Sequence, residues 1–248
     1  MPKSRWNIRD AIKVFFAYII LMFIGMPVLV QFIRIIFGRN ILNIIDNTSV
    51  ILFLSFFINV LVCTYVFYIV KVVHRQSIAA LGLSTINLPS NIKWGIKQYL
   101  FTLPFIIIAG IIVNLISSYF DITPEMQDVV QWVLEEKSFF ILASLLFFGV
   151  ILAPVMEEIL FRGFLLPALK NTFGSRYAIV ISAFLFAGIH MDMFAILQIF
   201  ILGLLLGYVY EKTQTLAAPI IIHVLHNSLT LMFLLYFKFF LKGKVPLF

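Results

Sequence analysis

Two glutamates and an arginine interrupt an otherwise apolar run of the chain between Ile151 and Leu169. A charge at the centre of a bilayer costs ~3 kcal/mol or more, so Glu157, Glu158 and Arg162 are candidates for a functional site. Glu158 and Arg162 are four residues apart, and on a helix they share a face and can pair. Such a pair leaves Glu157 without a local partner. An alternative is that both glutamates form a solvated cap in an aqueous funnel.

Helix geometry predicts that two histidines reach the depth of Glu157. Glu157 and His190 each lie 13 residues from a turn formed by residues 170–177, which is ~20 Å at the rise of an α-helix. His223 lies 12 residues beyond the following turn, or ~18 Å. Asn227 comes four residues later and shares the face of His223. Three separate segments therefore bring a carboxylate, two imidazoles and an amide to one layer.

These side-chain types are the parts of a hydrolase. A desolvated carboxylate, here Glu157, can act as a general base near neutral pH. One histidine can orient water or protonate a leaving amine, and the other can join Asn227 in donating hydrogen bonds to an oxyanion. Alternatively, Glu157, His190 and His223 could hold Zn²⁺ with an open position for water. The chain has no H-E-x-x-H or G-x-S-x-G motif, and we expect Ser228 to be a packing residue.

The composition is that of a membrane protein. Hydrophobic residues make up 62% of the 248 residues and charged residues 12%, whereas a soluble domain is about a quarter charged. The mean hydropathy is +1.09. The net charge of +7 comes from basic residues in short segments between apolar runs, which is typical of membrane topology and argues against a nucleic-acid partner. We therefore expect one integral membrane domain, residues 1–248, in contact with the lipid bilayer.

Long apolar runs predict an all-α, polytopic transmembrane bundle of seven to eight helices. Pro154 lies inside the longest run, and because proline removes a backbone hydrogen bond we expect a kink or break there. A break would divide that run into two helices and give the eighth. The predicted helices are Ile12–Phe37, Ile51–Val73, Tyr99–Tyr119, Phe139–Lys170, Tyr177–His190, Phe194–Tyr210 and Leu216–Leu241.

Loop charges predict which connections share a side of the membrane. The N-terminus, the Arg75–Lys97 segment and the Lys170–Arg176 turn are basic, so we expect all three to be cytoplasmic. The Asp121–Glu136 connection is acidic and should face outward. We expect His74, beside Arg75, to be a solvated residue. Seven spans would put Lys242 and Lys244 outside, which does not fit the basic-inside pattern.

Three short motifs resemble those of a known family, the CAAX protease and bacteriocin-processing family, which includes the type II CAAX prenyl endopeptidases. Residues 156–163 (Met-Glu-Glu-Ile-Leu-Phe-Arg-Gly) resemble its E-E-x-x-x-R motif. Residues 186–190 resemble its F-x-x-x-H motif, and residues 223–227 its H-x-x-x-N motif. They occur in the family's order, and the motif-bearing region runs from about residue 139 to 227.

The resemblance implies a role for each matched residue. The first glutamate of the family's motif activates water, which implies that role for Glu157, while Glu158 and Arg162 support the site. It implies catalytic roles for His190, His223 and Asn227, and Phe186 should pack beside them. His226 occupies a variable position and receives no role. The family has been described both as metalloproteases and as glutamate-dependent proteases, so zinc stays open; the residues favour metal-free chemistry because no third strong ligand is evident.

The resemblance therefore implies an intramembrane endopeptidase that cuts a membrane-associated peptide or protein, in the plasma membrane of a bacterium. One competing function is a non-catalytic scaffold or regulator that binds a partner membrane protein. The retention of every motif position favours the enzyme. Another is a proton-coupled transporter, which also uses buried glutamates and histidines. The lack of an inverted repeat, and the concentration of buried charge in one half of the chain, argue against a transporter.

Overall fold

A computed structural model describes residues 6–37, 48–84, 86–122 and 128–240. Within those ranges the chain forms helices and no β-strand. Helices satisfy their backbone N–H and C=O groups internally, which the bilayer requires. The helices are α1 (8–37), α2 (48–73), α3 (Leu88–Tyr119), α4 (Asp128–Glu135), α5 (Phe139–Phe173), α6 (Ser175–Ile189), α7 (Ile196–Thr213) and α8 (Ala217–Phe240), and a 3₁₀ turn covers Ile78–Leu81.

The lengths of these helices confirm an all-α membrane bundle, and the protein is an integral membrane protein. Six of the described helices, α1, α2, α3, α5, α7 and α8, are long and apolar enough to cross a bilayer. Helix α6 has 15 residues, or about 22 Å, which is shorter than the ~30 Å hydrocarbon core. Helix α6 by itself is therefore too short to cross that core. Helix α4, with eight residues, is too short to span.

Helix α5 is continuous through Pro154, so the structure shows no break there. Two π-helical segments, Phe148–Leu152 and Ile159–Leu165, flank the α-helical residues Ala153–Glu158. In the first segment the N–H of Ala153 donates to the carbonyl five residues earlier. Wider π turns accommodate local disruptions of a helix and are frequent at functional sites. The prediction that a break at Pro154 yields an additional helix was wrong. The structure describes eight helices because the short helix α4 precedes α5.

Polar contacts gather the predicted cytoplasmic connections at one end of the bundle. His74 Nε2 lies 2.9 Å from Asp10 Oδ2 and ties the end of α2 to α1. Lys170 pairs with Glu211 and joins the turn after α5 to the end of α7. These contacts pair the N-terminus with the end of α2 and the end of α5 with the end of α7, and the side of the membrane that they face is still a prediction. The prediction for His74 was wrong, because its side chain is only 18% exposed and is paired.

The opposite end of the bundle holds the acidic connection and the end of α8. Lys238 Nζ donates to the carbonyl of Val133 at 2.7 Å and to the carbonyl of Glu136. The end of α8 thus lies beside α4. Lys242 and Lys244 lie outside the described residues.

A close approach between α6 and α7 helps to position the buried charges of α5. A Cβ atom added to Gly203 on α7 would lie 3.1 Å from the Cα of Ala183 on α6, which is too close without movement. Glycine therefore allows the two backbones to meet. The same glycine offers its carbonyl oxygen to Arg162 on α5, so this contact links three helices.

Candidate active site

The ion pair predicted within α5 is present. Arg162 Nη1 donates to Glu158 Oε1 at 2.9 Å, and both side chains are fully buried. Arg162 Nη2 also donates to the carbonyl of Gly203 at 3.2 Å. The guanidinium carbon lies 4.3 Å from the ring centroid of Phe186, a distance at which the aromatic face attracts a cation. Arg162 thus contacts a carboxylate, a carbonyl and an aromatic ring. These three contacts stabilise its positive charge in an apolar environment.

His223 connects the two glutamates. Its Nδ1 lies 2.9 Å from Glu158 Oε1, and its Nε2 lies 3.8 Å from Glu157 Oε2. An ionised carboxylate only accepts hydrogen bonds, so Nδ1 carries the hydrogen toward Glu158. In the neutral imidazole, Nε2 is then an acceptor directed at Glu157. The separation of 3.8 Å is longer than a hydrogen bond.

Phe186 packs at the centre of the site, as the sequence predicts. Its ring centroid lies 4.8 Å from that of His190 and 5.6 Å from that of His223. The two histidines predicted for one layer therefore contact a common ring.

His190 follows the last residue of α6, where the chain leaves the helix. Its Nδ1 lies 2.7 Å from the carbonyl oxygen of Phe186. Because a carbonyl oxygen only accepts, Nδ1 donates and Nε2 is left for another partner. Met191, the next residue, has a φ of 51°. This left-handed residue turns the backbone sharply at the end of α6.

Asn227 contacts the backbone of α5. Its Nδ2 donates to the carbonyl of Gly149 at 2.9 Å. Gly149 lies in the π-helical segment Phe148–Leu152. One amide hydrogen and the amide oxygen of Asn227 are not used by this bond. The sequence places Asn227 beside His223 but gives no sign of this contact with α5.

A cavity of ≈ 900 Å³ borders the site. Its wall includes Met156, which precedes Glu157, together with His190 and Gly149. Apolar side chains from α1, α2 and α5 make most of the remaining wall, and Trp132 of α4 contributes to it. Pockets of this size that are mostly apolar, with a few convergent polar groups, are typical of binding sites. The sequence did not reveal this cavity, because its walls come from distant segments.

The residues predicted to hold zinc are Glu157, His190 and His223. Among the residues that the structure describes, no three histidine, cysteine or acidic side chains are grouped so that they could hold a metal ion. Nδ1 of His223 contacts Glu158 and Nδ1 of His190 contacts the Phe186 carbonyl, so Nε2 is the nitrogen of each ring that could bind a metal. Zinc binding by Glu157, His190 and His223 therefore stays a prediction, and no step proposed below passes through a metal.

Two other polar residues near the site have partners in their own surroundings. His226 Nδ1 lies 3.2 Å from the hydroxyl of Tyr99, which joins α8 to α3. Ser228 Oγ donates to the carbonyl of Val224 at 2.6 Å. Ser228 thus satisfies its hydroxyl within its own helix, in agreement with a packing role.

Comparison with known proteins points to one family. Residues 139–229 match the model of the family described as type II CAAX prenyl endopeptidase Rce1-like. The membrane-embedded CAAX protease MroQ of Staphylococcus aureus is 26% identical over 148 residues, which are 57% of this chain and 58% of that protein. The protein YdiL of Bacillus subtilis is 30% identical over 78 residues, 32% of each chain. The protein YaiF of Lactococcus lactis is 36% identical over 100 residues, 38% of this chain and 44% of that protein.

These matches are partial, since the chain spans less than three fifths of the length of each relative. No solved structure matches the chain. The matched region nevertheless contains Glu157, the ion pair of Glu158 and Arg162, and both site histidines. Residues 139–229, which form part of a helical membrane fold, are therefore similar to the CAAX proteases of this family.

Proposed function

We propose that the protein is an intramembrane endopeptidase that hydrolyses a peptide bond of a membrane-associated protein or peptide. The observation that carries this proposal is the different engagement of two adjacent carboxylates. Glu158 is fully buried and accepts from both Arg162 and His223. Glu157 keeps 17% exposure and lies 3.8 Å from His223 Nε2. One glutamate is thus committed to structure while its neighbour is available for proton transfer.

Glu157 acts as the general base in this proposal. It accepts a proton from a water molecule while the water oxygen forms a bond to the carbonyl carbon of the substrate. The proton then passes to the nitrogen of the leaving amine as the carbon–nitrogen bond breaks. The water oxygen stays on the carbonyl carbon, which becomes the new carboxylate. A base positioned in this way typically contributes 10²–10⁴-fold to the rate.

Histidines and an amide stabilise the negative oxygen of the tetrahedral intermediate. Glu158, through its contact with Nδ1, fixes the ring of His223, whose Nε2 can donate to the oxyanion when it carries a hydrogen. His190 assists from the cavity wall, where its Nε2 is left for the substrate. Asn227 has one amide hydrogen that is not used by Gly149 and can donate in the same way.

A membrane scaffold or regulator is the second candidate function. It accounts for a cavity between helices but gives no reason for an available glutamate beside a fixed histidine. The name of MroQ, a membrane-embedded CAAX protease, also favours the enzyme. Because the relatives that match are bacterial, the substrate is expected in a bacterial plasma membrane.

The test is a comparison of cells that express the wild type or Glu157→Gln at equal abundance. Glutamine keeps the size and polarity of the side chain but cannot accept the proton. Mass spectrometry of membrane fractions should find peptide termini that occur only with the wild type. Glu135→Gln, at an exposed position on α4, is the matched control and should give the wild-type pattern. If Glu157→Gln leaves every terminus and the cellular function intact, the scaffold replaces the enzyme.

A further inference from the structure

Helix α2 carries a row of polar residues in an apolar sequence. Ser55, Asn59 and Cys63 follow one another at intervals of four, so they lie along one face of the helix. Ser55 and Asn59 line the cavity. Cys63 is buried, and its Sγ lies 3.8 Å from the carbonyl of Met156. The row therefore leads along the cavity wall to the residue that precedes Glu157.

The side-chain amide of Asn59 has donor and acceptor capacity beyond its bond to Ser55. Its Nδ2 donates to the carbonyl of Ser55 at 2.9 Å. An asparagine amide has two N–H hydrogens and an oxygen with two lone pairs, so a donor and an acceptor are left. Ser55, by contrast, directs its hydroxyl at the sulfur of Met26. Asn59 is therefore the residue of the row that can offer a donor and an acceptor to a molecule in the cavity.

We propose that Asn59 binds the main chain of the substrate in this cavity and thereby fixes which peptide bond reaches Glu157. The inference rests on the proposed function. A peptide must be extended to expose a bond to attack, and its N–H and C=O groups then lack helical partners. Burying such a group unpaired in an apolar site is strongly unfavourable. An asparagine amide matches one peptide unit, since it can accept from an N–H and donate to a C=O.

The position of Asn59 sets the part of the substrate that it contacts. Asn59 lies one helical turn, about 6 Å, from Cys63 along α2, and Cys63 contacts the residue before Glu157. The substrate group bound by Asn59 therefore lies on the part of the peptide that runs along α2 toward the bond that is cut. At that point of the substrate, the apolar side chains of the cavity wall determine which substrate side chains are accepted.

The probe is a quenched fluorescent peptide that spans the cleavage site mapped by the Glu157→Gln comparison, assayed with the full-length protein in detergent. Asn59→Leu keeps the size of the side chain but removes its hydrogen bonds, and KM should rise roughly tenfold while kcat changes little. Asn59→Gln should restore part of the binding. The control is Thr64→Val, since Thr64 is exposed on the same helix and donates to its own backbone at Val60.

A second set of peptides tests the contact itself. One main-chain N–H of the probe at a time is replaced by N-methyl, which removes the donor. With the wild type, methylation at one position near the cut should raise KM. With Asn59→Leu the same methylation should have no further effect, because its partner is already gone. Should Asn59→Leu fold poorly, Asn59→Ala provides the same comparison.

The outcomes separate this inference from the function on which it rests. If Glu157→Gln cleaves the probe like the wild type, the proposed enzyme is wrong. If Glu157→Gln is inactive but Asn59→Leu retains the wild-type KM, the enzyme stands and the role of Asn59 is wrong. Equal sensitivity of the wild type and Asn59→Leu to every methylation would likewise exclude a main-chain contact at Asn59.

Discussion

Asn227 supplies a hydrogen bond to the carbonyl of Gly149, at 2.9 Å, that the helix itself cannot supply. In the π-helical segment the N–H of Ala153 donates to Phe148, five residues back. The next bond in that register would join residue 154 to Gly149, but Pro154 has no N–H. A side chain from α8 therefore replaces a backbone donor of α5, and does so eight residues before Glu157.

Removing this amide should destabilise the site even in the absence of substrate. Asn227→Ala leaves the Gly149 carbonyl without this donor, which typically costs about 1–3 kcal/mol. We expect a lower unfolding temperature in detergent, measured by intrinsic fluorescence, together with a loss of activity. Ser228→Ala, which removes a hydroxyl bonded within its own helix, is the neighbouring control and should change stability little.

A second substitution can separate the two roles of Asn227. Pro154→Ala restores an N–H to α5, so in the Asn227→Ala background it should recover part of the lost stability. It should not recover activity if Asn227 also contacts the oxyanion. Additive effects of the two substitutions on the unfolding temperature would show that Asn227 does not replace the missing donor.

The ion pair of Arg162 gives a larger expected effect. Arg162→Ala leaves Glu158 buried without its cation, and removing one partner of a buried pair typically costs about 3–5 kcal/mol. Protein abundance in membranes and activity should both fall. Arg176→Ala, at an exposed position, serves as the control and should express normally. Wild-type yield and activity for Arg162→Ala would mean that the pair is dispensable.

The order of the helices and the identity of the central residues were predictable, because both depend on local patterns. Apolar length gives the spans, and an interval of four gives the Glu158–Arg162 pair. Similar distances from successive turns predict that His190 and His223 lie in one layer, and both contact Phe186.

Features that depend on contacts between distant segments were not predictable. The effect of Pro154 on α5 is an example. The hydrogen bond that this proline cannot donate is replaced by π turns within α5 and by the Asn227 amide of α8. The cavity is another, because α1, α2 and α5 form its wall together. The polar row that includes Asn59 is visible in the sequence as an interval of four. Only the fold shows that this row faces the site.

Metal dependence can be tested on the purified protein. If Glu157 activates water without a metal, a strong chelator should leave the cleavage rate unchanged, and metal analysis should find no stoichiometric zinc. A zinc enzyme should lose activity with the chelator and recover it when Zn²⁺ is added. The probe described for Asn59 provides the assay, and a known zinc peptidase treated in parallel confirms that the chelator works.

The orientation of the helix bundle in the membrane can be measured by cysteine labelling. The structure places the turn after α5 and the short helix α4 at opposite ends of the bundle, and loop charge predicts that the turn is cytoplasmic. Cysteines introduced at Thr172 and Gln131, both exposed, in a Cys63→Ala background, should therefore label differently in intact cells. An impermeant maleimide should react with the cysteine at 131 before lysis and with the one at 172 only afterwards. The reverse order would invert the assigned orientation, and labelling of both from outside would contradict the fold, because α5 would then not cross the membrane.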